Sequence, residues 1–250
     1  MGGESVDRGV DTDLQAVATR LGQALLAVVA ALVAGSVFVS AAASAGRALG
    51  LVADSPELVV VRTVGQFVGF AAAALLFVAY AGDRGVLRLG RPTAADLGWG
   101  LAGTVALLVG QYALLFALSA VGIGVAENQA LSPGEGAPRY YLYMVAVSVL
   151  FVGPGEELVF RGVAQGELRR ALPAPAAVGV AAALFGVIHA WAGNGTPLEQ
   201  GAYVAVAFLL GCVLGLLYEA RGTLVVPALA HGLYNATLYA LRYANETGLV

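Results

Sequence analysis

Apolar residues run along this chain in long unbroken stretches, with little of the polar facing that a water-exposed helix or strand carries. Seven stretches approach the roughly 20 residues that a membrane span needs at 1.5 Å per residue. They run from about Leu21 to Ala43, Leu58 to Ala81, Leu97 to Gly122, Tyr140 onward, Pro175 to Trp191, Ala202 to Tyr218 and Thr223 to Leu241. The fourth is apolar only from Tyr140 to Val152. It reaches spanning length by continuing through Gly153-Pro154-Gly155 toward Leu172, and a kink is expected there because proline removes a backbone donor. The pattern predicts an all-α protein, a polytopic membrane helical bundle of about seven (six to eight) transmembrane helices. One membrane-embedded domain, residues 15–250, is expected, with the polar motifs confined to about 140–241. Residues 1–14 are acidic and lack the basic start and apolar core of a secretory signal. They read as a disordered cytoplasmic tail.

Composition sharpens this picture. The 250 residues are 59% hydrophobic and only 12% charged, against roughly 25% charged in soluble domains. A net charge of -3 gives no footing for nucleic acid. All 13 basic residues are arginine, and the single cysteine, Cys212, has no partner for a disulfide or a thiolate metal site. Arg84, Arg88, Arg91, Arg169, Arg170 and Arg221 fall after even-numbered spans. The positive-inside rule then places those loops and the N-terminus in the cytoplasm of a cell-membrane protein. Tyr140, Tyr141, Tyr143 and Trp191 are expected to anchor the outer interface. Gly98 with Ala102, and Gly211 with Gly215, are small-residue pairs suited to helix packing.

Two adjacent glutamates, Glu156 and Glu157, interrupt the fourth apolar stretch, and the only two histidines, His189 and His231, interrupt two later ones. A charge in hydrocarbon costs about 2.5–3.5 kcal/mol on insertion scales, so such residues pair, line a wet cavity or do chemistry. On a helix Glu157 and Arg161 are i and i+4 and meet, which neutralises one carboxylate. Glu156 points about 100° away without a local partner, which makes it the better candidate for a general base. Phe185 and His189 share a helix face. His231 and Asn235 share another, and Pro227 one turn earlier loosens that helix. Counted from the inner helix ends, His231 lies about 12 Å deep and His189 about 21 Å. The two therefore meet only if the fifth span protrudes or the spans are miscounted.

The three motifs, Glu-Glu-x-x-x-Arg at 156–161, Phe-x-x-x-His at 185–189 and His-x-x-x-Asn at 231–235, resemble those of the CPBP intramembrane proteases. This family is also called the CAAX prenyl protease or Abi family. The resemblance covers about Tyr140 to Leu241, with no departure at any motif position. It implies an endopeptidase in which Glu156, helped by His189, activates a water while His231 and Asn235 hold the oxyanion. Glu157 and Arg161 would support the site beside Phe185. It also implies a peptide or protein substrate taken up at the lipid bilayer, in CAAX processing, peptide maturation or self-immunity. The cofactor stays open. The family is often called metalloprotease, and Glu156, His189 and His231 could hold one divalent metal such as zinc. There is no His-Glu-x-x-His, however, and the metal-free glutamate mechanism is preferred. Two other classes compete. A proton-coupled transporter would show matching broken helices in two halves, and no internal symmetry is visible. A non-catalytic immunity or scaffold protein would lack a motif residue, and none is missing.

Overall fold

The computed structural model describes the backbone of residues 4–82 and 84–250, and side chains from residue 13 onward except at 83 and 84. Among the described residues seven long helices dominate: α1 Glu4–Ala48, α2 Pro56–Ala81, α3 Ala94–Ala120, α4 Arg139–Leu168, α5 Ala174–Ile188, α6 Pro197–Arg221 and α7 Val225–Glu246. The first six are long and apolar enough to cross a membrane. This is an all-α integral membrane protein. α7 carries His231, Asn235 and Arg242 on one side, which makes it more polar than the other six, and it is packed among them.

The ends are set by local chemistry. Ser55 caps α2 through its side chain, and a capping box joins Thr93 and Asp96 at the start of α3. Thr196 and Glu199 do the same for α6. Left-handed glycines at 82 and 222 close α2 and α6. The α1 helix reaches back to Glu4; Met1–Gly3 lie outside the described residues.

Helix α4 absorbs its proline without ending. Two wide π-helical segments, Ser148–Val152 and Leu158–Gln165, flank Gly153–Glu157. The N–H of Gly153 bonds to Ser148 O, five residues back, which makes room for the Pro154 ring. The wide turns place Glu156 and Glu157 against α7. Contact there is backbone to backbone: a Cβ on Gly153 would lie 2.7 Å from Gly232 N, and one on Gly232 would lie 2.9 Å from Val149 Cα.

Gly211 and Gly215 pack as expected, against Phe185 and Ala182 and against Gln165 and Val178. Gly98 does not. It faces open space, and α3 instead packs through Gly100 and Gly103 onto Leu229, Ala230 and Leu217. Tyr140 and Tyr141 are likewise buried, not interfacial anchors. Their hydroxyls bond to Ala130 O (2.8 Å) and Leu131 O (3.2 Å) and hold down the α3–α4 loop. Tyr143 and Trp191 are exposed. The same loop pairs Glu127–Asn128 (β1) with Gly193–Asn194 (β2) in a short antiparallel ladder.

At the opposite end of the bundle the arginines are tied down. Arg20 meets Glu167 at 2.7 Å, Arg169 meets Glu219 at 3.3 Å, and Arg221 meets Asp96 at 3.0 Å. Large apolar side chains such as Leu26, Val33, Leu76, Phe116 and Leu150 face outward, as a lipid-bathed surface requires. Two apolar cores fill the interior. One is built on Phe67, Phe70, Phe160 and Val163, the other on Leu107, Leu214, Leu217 and Val226.

Candidate active site

A cavity of about 720 Å³ opens between the two cores. Glu156, Phe185, His189, His231 and Asn235 all line it, so the three motifs converge on one hollow. Glu157 and Arg161 stand just behind the wall, 0% and 1% exposed. Arg161 Nη1 donates to Glu157 Oε1 at 3.0 Å, the pairing the i, i+4 spacing predicted. Its Nη2 also donates to Gly211 O at 2.9 Å, and its guanidinium lies 4.8 Å from the Phe185 ring centre.

Glu157 has a second partner that local spacing did not reveal. Its Oε1 also accepts from His231 Nδ1 at 2.9 Å, across 74 residues of sequence. A carboxylate on Nδ1 fixes the proton there and orients the ring, so Nε2 is the nitrogen left for the cavity. Nε2 lies 3.6 Å from Glu156 Oε2, beyond a good hydrogen bond but within ion-pair reach. Glu156 is thus less isolated than its sequence position suggested.

His189 is oriented differently. Its Nδ1 is 2.7 Å from Phe185 O, and since a carbonyl can only accept, Nδ1 carries a proton, which in the neutral ring leaves the lone pair on Nε2. The Phe185 ring stands between the histidines, 4.3 Å from His189 and 5.8 Å from His231. Both histidines line the one cavity, so the depth difference counted from the helix ends does not keep them apart.

Several polar atoms around the hollow have no partner among the described residues. Glu157 Oε2 and Ser148 Oγ are buried without a hydrogen bond. The half-buried Asn235 side chain makes none either. Buried polar atoms without a protein partner are rare in folded proteins, and beside a cavity they are placed to meet water or substrate. Ser148, which lines the cavity two helical turns before Glu156, was not visible as a site residue in the sequence. Nor was Tyr203, whose ring centre lies 6.3 Å from His189. A serine or tyrosine in an apolar run is too common to stand out. Among the described residues no three His, Cys, Asp or Glu side chains form a group able to hold a metal. Glu156, His189 and His231 therefore offer no formed ligand set here.

Residues 138–237 match the family model described as type II CAAX prenyl endopeptidase Rce1-like. The match places residues 138–237 in the CPBP, or CAAX, protease family. No curated protein and no solved structure matches the chain. The matched segment begins at the α3–α4 loop and ends just past Asn235, so it contains every residue of the three motifs and leaves α1–α3 outside.

Proposed function

We propose that this protein is a CAAX-type intramembrane endopeptidase that cuts a peptide bond near the C-terminus of its substrate, with Glu156 as general base. The observation that carries this reading is the convergence of Glu156, His189, His231 and Asn235 on one cavity. Glu156 takes a proton from a water whose other hydrogen is held by His189 Nε2. The water oxygen attacks the scissile carbonyl carbon, and the carbonyl electrons move onto oxygen. His231 Nε2–H and the Asn235 amide donate to that oxyanion. In this state His231 is an imidazolium. With Glu156 now protonated, His231 and Arg161 together balance the Glu157 carboxylate and the oxyanion, which keeps the buried net charge near zero and limits the desolvation cost. When the C–N bond breaks, Glu156 returns its proton to the leaving amine. Phe185 spaces the two imidazoles. Glu157 and Arg161 are positioning residues. The reading includes the cell membrane as location, with the arginine-rich end of the bundle and the N-terminus cytoplasmic.

The test is turnover in detergent of peptides ending Cys-aliphatic-aliphatic-any residue, with and without a prenyl group. Glu156→Gln is expected to lower kcat by about 10²- to 10⁴-fold with an unchanged melting profile. Unchanged turnover overturns the general-base role. A strong chelator is expected to leave the rate unaltered; loss of cleavage with recovery on added zinc overturns the metal-free assignment instead. Glu156-dependent proton flux in liposomes without peptide cleavage would make the protein a transporter.

A further inference from the structure

Resting on the endopeptidase reading, we propose that Arg242 is the specificity residue that captures the C-terminal carboxylate of the substrate. Three observations lead there. First, among the described residues lining the cavity Arg242 is the one arginine, and the chain has no lysine. It is therefore the only fixed positive charge at the cavity wall. Second, Arg242 stands on the same face of α7 as His231, Asn235 and Leu238, all of which line the hollow. Asn235 to Arg242 is seven positions, about 10 Å along the axis. Three extended residues span about 10 Å as well. A peptide whose scissile carbonyl sits at His231 and Asn235 thus brings a carboxylate three residues further on to Arg242. Hydrolysis directly after the cysteine of a CAAX box leaves a tripeptide of that length.

Third, the guanidinium already holds a carboxylate. Arg242 Nη2 donates to Glu127 Oε1 at 2.8 Å, and both side chains are well exposed (44% and 57%). Glu127 belongs to β1, in the loop that covers this end of the cavity, and itself lines the hollow. This single bond leaves other guanidinium donors for a second carboxylate, and arginine matches carboxylate geometry with two parallel bonds. Glu127 acts as an internal stand-in that an incoming C-terminus displaces or shares.

The experiment compares one quenched fluorescent CAAX-type peptide in two forms, free C-terminal acid and C-terminal amide. Wild type is expected to prefer the acid by about 10- to 100-fold in kcat/KM, the range of a charge-assisted bond. Arg242→Gln is expected to abolish that preference while cleaving the amide within about twofold of wild type. The amide rate therefore doubles as a control for folding. Arg242→Lys is expected to keep part of the preference, and Glu127→Gln to lower KM for the acid at unchanged kcat. If wild type cuts both forms equally in a Glu156-dependent way, or if Arg242→Gln slows both equally, the carboxylate role is overturned and the endopeptidase stands. If wild type cuts neither form above the Glu156→Gln background, the endopeptidase reading falls and this assignment with it.

Discussion

Glu157 and Glu167 lie ten positions apart on α4, both almost wholly buried, and each is met by an arginine. Glu167 faces Arg20 at 2.7 Å and Arg170 at 3.7 Å, and both arginines are 30% exposed. It does not line the 720 Å³ cavity. Glu157 is met by the fully buried Arg161 and shares the same oxygen with His231, while its other oxygen has no partner among the described residues. Gln165, between them, also leaves Oε1 without a partner among the described residues, but its amide is spent on Gly215 O and Glu219, and it meets neither histidine. A buried carboxylate in a membrane helix is therefore not a mark of chemistry by itself. Incomplete satisfaction beside a void, with a titratable neighbour, separates the site from the clamp.

Matched glutamine substitutions would break this comparison if it is wrong. Glu157→Gln is expected to lower kcat by about 100-fold, because His231 loses the carboxylate that orients it. It also costs about 3 kcal/mol of stability by leaving Arg161 buried and unpaired. Glu167→Gln is expected to cost only about 1–2 kcal/mol, since partly exposed Arg20 and Arg170 can turn to water. Its turnover per folded molecule is expected to stay within about twofold of wild type. Thermal melts in detergent alongside peptide turnover decide the matter. A loss of turnover on Glu167→Gln equal to that on Glu157→Gln would erase the distinction.

The sequence revealed the site better than it revealed the supports. Glu156, Glu157, His189 and His231 stand out because a charge in an apolar run is costly, and the i, i+4 rule paired Glu157 with Arg161 correctly. The bond from His231 to Glu157 spans 74 residues and depends on how α4 and α7 pack, which no local spacing encodes. Tyr140 and Tyr141 suit an aromatic belt equally well until the loop at 130–131 folds over them. Gly98 and Ala102 have a packing spacing, yet the packing face of α3 lies one to two residues further on, at Gly100 and Gly103. Periodicity shows that a helix has faces and does not show which of them meets protein and which meets lipid.

The glycine contact between α4 and α7 sharpens the comparison, because it holds the two sides of the site and not the clamp. Gly232→Ala would place a Cβ 2.9 Å from Val149 Cα and 3.0 Å from Ser148 O, backbone atoms that cannot swing aside. The helices must separate by a few tenths of an ångström. We expect a loss of about 1–3 kcal/mol and a kcat lowered about tenfold as His231 draws away from Glu157. Gly98→Ala, into open space, is expected to leave both unchanged or to stabilise slightly. Equal effects from the two alanines would show that the close approach at Gly232 sets nothing.

The smallest expected effect tests the orphaned atoms. Ser148 Oγ is buried at the cavity wall with no partner among the described residues, so the protein itself does not compensate its desolvation. Removing such a hydroxyl relieves a cost of about 1 kcal/mol. Ser148→Ala is therefore expected to raise the melting temperature by a few degrees. If the hydroxyl meets substrate or the attacking water, the same change lowers kcat/KM about threefold, and the two readouts move in opposite directions. A hydroxyl with a purely structural partner gives the reverse pattern, a lower melting temperature at unchanged kcat/KM. That result would place Ser148 with Glu167 among the supports and would narrow the reactive set to the residues of the three motifs.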